Sequence, residues 1–234
     1  MYRLSVFCLF IVLITSNAFA QKIDVGIEFG FNMRHDIGKN VIADSLIVMA
    51  DGYTGGMQNV YGVYGDIELS EKMKIHSVLG YTNQLSGYLL YNKEDDSIFG
   101  PVVKGSVTSA HNVNLLFTMQ YDLIGYKGFR VHLLAGFRSN FLINENNDPI
   151  QFREGTRHQG IAEVINNMDQ ANRRLYMNYS LGIQLSYWRL KLNALYDANF
   201  ANSSYTKSIK FFEESYRFHN QTEAISLTLG FKLF

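Results

Sequence analysis

The chain alternates. From Ile23 onward the apolar residues Ile23, Val25, Ile27, Phe29, Phe31 and Met33 occupy every second position, and Asp24, Gly26, Glu28, Gly30, Asn32 and Arg34 lie between them. Successive side chains of a strand point to opposite faces. This segment therefore has one hydrocarbon face and one face of charge and glycine. The same period returns around 61–69, 73–82, 112–123, 129–138, 174–187, 190–200 and 225–233. Eight strands are predicted, each near the roughly 9–11 residues that a tilted membrane strand needs. A composition of 17 Phe and 15 Tyr with only 2 Pro suits strands. After the first twenty residues, nothing approaches the roughly 18 uninterrupted apolar residues of a spanning helix.

The connections alternate as well. Tight turns are expected around Ser70-Glu71-Lys72, at 124–128 and at Trp188-Arg189; long polar loops are expected at 35–58, 85–109, 142–173 and 202–221. Short turns at one end and long loops at the other are the pattern of an outer-membrane barrel. An even strand number places both ends of the barrel domain at the short-turn, periplasmic side. The turns also set a register. Pairing Leu69 with Met73 puts Glu68 opposite Lys74 and Asp66 opposite His76. Pairing Leu123 with Phe129 puts Asp122 opposite Arg130 and Gln120 opposite His132. Pairing Tyr187 with Leu190 puts Ser186 opposite Lys191 and Ser180 opposite Asp197. Opposite charges across an antiparallel pair are favourable.

Two eight-stranded architectures fit such alternation. A soluble lipocalin-type barrel keeps its apolar face inside around a ligand; a membrane barrel turns it out to lipid. The mixed charges and glycines of the polar stripe suit a narrow lumen packed with ion pairs. Aromatic residues also gather near the strand ends: Tyr121, Tyr126, Phe129, Tyr187 and Trp188 at the turn side, and Phe31, Tyr81, Phe137, Phe141 and Phe200 at the other. Two interfacial girdles are expected of a membrane barrel. Residues 1–20 read as a cleavable signal peptide, with Arg3, an apolar run from Leu4 to Ile14 and the small-x-small site Ala18-Phe19-Ala20. The domain is then 21–234. Cys8 lies inside the signal, so the mature chain would have no disulfide, thiol nucleophile or Cys-ligated metal. Loss of Arg3 leaves 20 basic residues against 21 acidic ones, which gives no electrostatic case for nucleic acid.

The junction Ala18-Phe19-Ala20-Gln21, the opening Val25-Gly26-Ile27-Glu28-Phe29-Gly30-Phe31-Asn32 and the closing segment from Ile225 to Phe234 resemble Bacteroidota outer-membrane β-barrel proteins of the PorT-like group. The resemblance covers most of the mature chain as a pattern and the two ends as wording. It implies the fold and an outer-membrane location. The family's namesake is linked to protein secretion across the outer membrane, and most members have no assigned activity. Barrels of this kind commonly end in a Phe that the assembly machinery recognises. Here the lipid-facing set ends on Leu233, so Phe234 is one step out of phase.

Chemistry is hard to find. An eight-stranded barrel is just filled by its own side chains, which argues against a general porin. Glu28, Arg34, Asp66, Glu68, Asp122, Arg130, Arg138, Lys191 and Asp197 are placed in the lumen; a proton or ion path and a buried structural network are the two readings, and the second is expected. A rim enzyme acting on lipid A or peptides would need a nucleophile or activated water near a His and a carboxylate. His35 with Asp36 and His111 lie near the expected outer rim, and His158 and His219 in long loops, without a Gly-x-Ser-x-Gly or His-Glu-x-x-His motif. No residue is assigned a catalytic, cofactor-binding or metal-binding role, and no cofactor or enzyme activity is expected. The long loops remain, since binding residues concentrate on loops held by a rigid scaffold. Ile161–Met168 has helical spacing and is expected to cap the barrel mouth; 208–218 is read as extending strands beyond the membrane. The expectation is an all-β, eight-stranded antiparallel up-and-down transmembrane barrel. Its loops would serve interaction, envelope integrity or a secretion-associated role. Its partners would be outer-membrane lipid and lipopolysaccharide, the assembly machinery, and an envelope or secretion protein.

Overall fold

The computed structural model describes residues 23–38, 41–43, 46–49, 57–92, 103–147, 174–200, 208–211, 214–217 and 220–234. The expected signal peptide and the candidate helix at 161–168 lie outside them. The strands are β1 (Ile23–Gly38), β2 (Val41–Ala43), β3 (Leu46–Met49), β4 (Met57–Glu68), β5 (Met73–Asn92), β6 (Val103–Tyr126), β7 (Phe129–Asn147), β8 (Leu175–Tyr187), β9 (Leu190–Asn199), β10 (Ser208–Phe211), β11 (Glu214–Arg217) and β12 (Asn220–Lys232). Among the described residues, eight of them close a barrel in the order β1-β4-β5-β6-β7-β8-β9-β12, and β12 returns to β1. Every pairing is antiparallel, and all but the closing β12–β1 pair join successive barrel strands, so the barrel is up-and-down.

Alternation decides which face is inside. Phe117 is 37% exposed and its neighbour Thr118 only 2%. Ile27, Phe29, Phe31 and Met33 are exposed on β1, while Glu28, Asn32 and Arg34 are buried. All ten girdle aromatics named above are exposed, on the outer face or in a turn. An apolar exterior around a polar interior is the inverse of a lipocalin, and the soluble-barrel alternative fails on it. Such an exterior is stable only against lipid.

The seam between first and last strands is closed by side chains as well as by the ladder. Asn32 donates to Ser226 at 3.0 Å, Thr228 donates to Glu28 at 3.4 Å, and Lys232 pairs with Asp24 at 2.5 Å. At the same end Lys232 N–H donates to the Arg189 carbonyl at 2.8 Å, which fixes the end of β12 beside the β8–β9 turn.

Two of the three predicted registers hold: Glu68 faces Lys74 and Asp66 faces His76, and Ser186 faces Lys191 and Ser180 faces Asp197. The β6–β7 register does not. Asp122 faces His132 rather than Arg130, and Gln120 faces Leu134 rather than His132. The strands run on to Tyr126 and Phe129 and turn in the two residues Lys127-Gly128, and a bulge between Asp122 and Ile124 absorbs the extra residue. Both turn residues have positive φ, 45° and 86°, as a type I′ hairpin requires. A β-branched residue is strained there. Gly128→Val should therefore cost roughly 1–2 kcal/mol, and Lys127→Asn should gain a few tenths, both read from urea unfolding in lipid vesicles. Equal midpoints for the two variants would exclude this turn.

The predicted loops are also shorter than expected. β5 continues to Asn92 and β6 starts at Val103, so most of 85–109 is strand; β7 continues to Asn147. Alternation weakens in the sequence there, because polar residues occur at both parities. Within 35–58, β1 continues to Gly38 and β2 and β3 form a hairpin added to the far end of β5. The segment 208–218 does not extend the barrel strands: β10 and β11 pair with each other as a separate ribbon.

Candidate functional site

The lumen is built in layers, because each inward residue is fixed by strand parity. At the turn side it is ionic. Lys74 donates to Glu68 at 2.7 Å, and Lys232 binds Asp24. Asp66 is the centre of a larger group: one carboxylate oxygen meets His76 Nδ1 at 2.6 Å and the other meets Lys191 Nζ. The Lys191 ammonium also lies over the Tyr64 ring, 4.1 Å from its centroid. Register places Asp24 directly across from Asp66. Two like charges so placed repel, and Lys232, Lys191 and His76 offset that repulsion.

One step toward the extracellular side the lumen is apolar. Tyr64, Val78, Leu116, Leu134 and Leu195 form a buried cluster. Four of the five stand two to four residues from an ionic residue on the same strand: Tyr64 from Asp66, Val78 from His76, Leu134 from His132 and Leu195 from Lys191. The Tyr64 ring fits only because Gly26 and Gly230 leave space; a Cβ at Gly26 would overlap the ring. Beyond this layer polarity returns. Arg138 Nη2 lies 3.3 Å from Asp197, which also accepts from Ser180. Asn199 joins Asn178 at 2.9 Å and Thr222 at 2.7 Å. Parity alone marks these positions as inward. Their apolar members break the polar stripe and could have been found as the exceptions in it.

Below the apolar layer, a cavity of about 260 Å³ opens at the turn-side mouth. Asp24, Asp66, Glu68, Lys74, Gln120, Arg130, His132, Gln184, Ser186, Trp188, Lys191 and Lys232 are among the residues that line it. Here Asp122 accepts from Arg130 Nη1 at 3.3 Å and meets His132 Nδ1 at 2.5 Å, while His132 Nε2 lies 2.8 Å from Ser186 Oγ. His132 is 2% exposed and Ser186 is half-buried at the cavity wall. An ionised carboxylate only accepts, so Nδ1 carries the proton. In the neutral ring Nε2 is then the acceptor and the Ser186 hydroxyl donates to it. Arg130, expected inside the lumen, is half exposed at the mouth, because the bulge moves the end of the hairpin beyond the closed part of the barrel.

The extracellular-side candidates do not assemble. His35 is exposed on the outer face of β1. His111 stacks on Tyr81, ring centroids 6.0 Å apart, with its Nδ1 2.5 Å from the Tyr81 hydroxyl. That contact also lies on the outer face, as the parity of Tyr81 requires. His158 and His219 lie outside the described residues. Of the nine charged residues assigned to the lumen, Glu28, Arg34, Asp66, Arg138, Lys191 and Asp197 are buried there. The sequence reading passed over His76 and His132 as site residues: its registers set His76 opposite Asp66 but His132 opposite Gln120, and the bulge is what brings His132 to Asp122.

No protein-family model matches the chain, and no curated protein matches it by sequence. Solved structures with a similar chain path include OprG from Pseudomonas aeruginosa, with 8% identity, a TM-score of 0.46 and coverage of 90% of this chain and 94% of that one. The outer-membrane protease OmpT from Escherichia coli has 8% identity, a TM-score of 0.44 and coverage of 92% and 97%. Ail, the attachment invasion locus protein of Yersinia pestis, has 10% identity, a TM-score of 0.41 and coverage of 91% and 99%. The chain's own geometry is the stronger statement. A closed antiparallel barrel, ionic within and ringed by exposed aliphatic and aromatic side chains, is an integral β-barrel of the bacterial outer membrane.

Proposed function

We propose that the protein is a closed outer-membrane anchor that presents an extracellular β-sheet wall to a partner protein. The observation that carries this reading is strand length. β5, β6 and β7 have 20, 24 and 19 residues, against the roughly 9–11 that span the bilayer. β4 pairs with β5 as far as Thr82, and β3 takes up the same edge at Leu89–Asn92. On the other side β6 carries β7 as far as Asn147, beyond the last β7–β8 pair at Phe141. A sheet of β2, β3, β5, β6 and β7 thus continues past the barrel. Rigid, regular backbone held outside the membrane is a scaffold for recognition, and this role needs no chemistry at the extracellular rim. The likeness of the two chain ends to PorT-like barrels supports a partner in secretion or envelope integrity. On this reading residues 1–20 direct export, the assembly machinery inserts the barrel, and lipid and lipopolysaccharide contact its apolar band.

The test is capture of partners from outer membranes in mild detergent, with a variant in which 87–107 is replaced by a two-residue turn. Gly87 and Val107 face each other, so the cut leaves the register below intact. A partner is expected with the full chain and not with the shortened one, while both migrate as heat-modifiable barrels. A partner retained after the cut, or none with either chain, would overturn the reading. The apolar layer gives a second expected result: in planar bilayers the protein should pass no steady ionic current, and stepwise conductance at neutral pH would contradict a closed lumen.

A further inference from the structure

We propose that Ser186, His132 and Asp122 form a hydrolytic site for short-chain carboxylic esters at the periplasmic mouth of the barrel. This goes beyond the anchoring role and depends on no part of it, since the site lies at the opposite end from the extracellular wall. The three residues come from three adjacent strands, β8, β7 and β6. The β6 bulge that shifts the register is what brings Asp122 across from His132, and β7–β8 pairing sets His132 two residues from the partner of Ser186.

The contacts have the order that nucleophilic catalysis requires. Asp122 holds the Nδ1 side of the ring at 2.5 Å, and Nε2 faces Ser186 Oγ at 2.8 Å. An aspartate that fixes the tautomer, a base and a hydroxyl in one chain is the arrangement that activates serine. Ser186 borders the cavity, so a substrate has a place beside it. Register puts a cation directly across from Ser186 on each flanking strand: Arg130 on β7 and Lys191 on β9. Directly opposed residues have Cβ atoms roughly 4.5–5.5 Å apart, and both side chains line the same cavity. Arg130 pairs with Asp122 and Lys191 with Asp66, so these cations are already partly neutralised and lend an oxyanion beside Ser186 long-range support only.

The substrate class follows from size and lining. About 260 Å³ lies below the roughly 300–1,000 Å³ of sites that enclose drug-sized ligands. The wall is ionic and its charges are paired, so a long acyl chain finds no apolar channel. In the reaction Ser186 Oγ bonds to the ester carbonyl carbon and its proton passes to His132 Nε2. The carbonyl pair moves onto oxygen and then returns, and the bond to the alcohol breaks as the alcohol takes the proton from His132. Water, deprotonated by His132, attacks the acyl-serine; the bond from the acyl carbon to Ser186 Oγ breaks, Oγ takes the proton back from His132, and the carboxylic acid leaves. The sum is ester plus water to acid plus alcohol.

The experiment uses the full chain in detergent micelles or outer-membrane vesicles, with a fluorophosphonate probe and p-nitrophenyl acetate. Mass spectrometry of the labelled wild-type protein is expected to find the probe on Ser186. Ser186→Ala and His132→Ala should abolish labelling and lower acetate hydrolysis by about 10³-fold or more. Asp122→Asn should lower kcat by about 10³–10⁴-fold and leave KM nearly unchanged, the split expected of a positioning residue. p-Nitrophenyl palmitate should not be turned over. Heat-modifiable migration establishes that each variant is folded. A folded wild-type barrel that takes no label, a label on another serine, or hydrolysis equal to that of Ser186→Ala would overturn the proposal. Turnover of palmitate in preference to acetate would overturn the substrate class.

Discussion

Asp66→Ala should destabilise the folded barrel by about 3–5 kcal/mol, seen as a lower urea midpoint for unfolding from phospholipid vesicles. Asp66 is 3% exposed and joins two strands' worth of partners, His76 on one oxygen and Lys191 on the other. Its removal leaves the Lys191 ammonium buried over the Tyr64 ring without its directly bonded carboxylate. An uncompensated buried charge is what makes such a loss large; the pair itself is worth less than its breakage suggests. The double variant Asp66→Leu with Lys191→Met should accordingly recover much of the loss, because neither charge then remains. A single variant as stable as the wild type would show that the ionic layer does not hold the lumen together.

Phe117→Arg should block assembly. Arginine on the lipid face near mid-depth costs roughly 2–4 kcal/mol. Phe117 also faces Phe137 across β6 and β7, with ring centroids 5.7 Å apart, and such a pair contributes about 0.5–1.5 kcal/mol beyond its area. The measurement is the fraction of protein that reaches the heat-modifiable form in outer membranes. Thr118→Arg meets a different obstacle. Thr118 is buried and donates to the His76 carbonyl at 3.3 Å, so its cost is overpacking, roughly 1–3 kcal/mol. Single cysteines separate the faces more cleanly: labels at 115, 117 and 119 should be reached by lipid-soluble quenchers, and labels at 114, 118 and 120 should not. The reverse parity would place the apolar face inside and contradict the fold.

Parity was legible in the sequence because lipid contact forces every second residue to be apolar; β1 shows it from Ile23 to Met33. Facing, strand order and the location of the girdles follow from that one constraint. What escaped the sequence lies where the constraint lapses. In β5 beyond Thr82 and β6 before Asn112 the sequence alternation fades although the ladder continues. The β6–β7 turn was read too wide because Gly125 and Lys127 interrupt the apolar set, and the bulge that resolves them has no mark in composition. The polar stripe concealed Leu116, Leu134 and Leu195, which look out of place until the barrel brings them together. The contact among Asp122, His132 and Ser186 depends on that bulge and on two successive registers. Search for a motif in the linear chain could not reveal it.

The barrel's seam joins the first strand to the last, and its bonds bridge extreme separations in sequence: Asn32 to Ser226 spans 194 residues and Glu28 to Thr228 spans 200. Until these strands meet, Glu28 and Asp24 have no luminal partners and one edge of the sheet is open. Open edges and unpaired carboxylates are both costly in hydrocarbon. Insertion strand by strand would therefore climb steadily in free energy and be repaid only at the final contact. Closure becomes a nearly all-or-none kinetic event, one that a catalyst of assembly would have to shelter from the bilayer until the two ends of the chain have found each other.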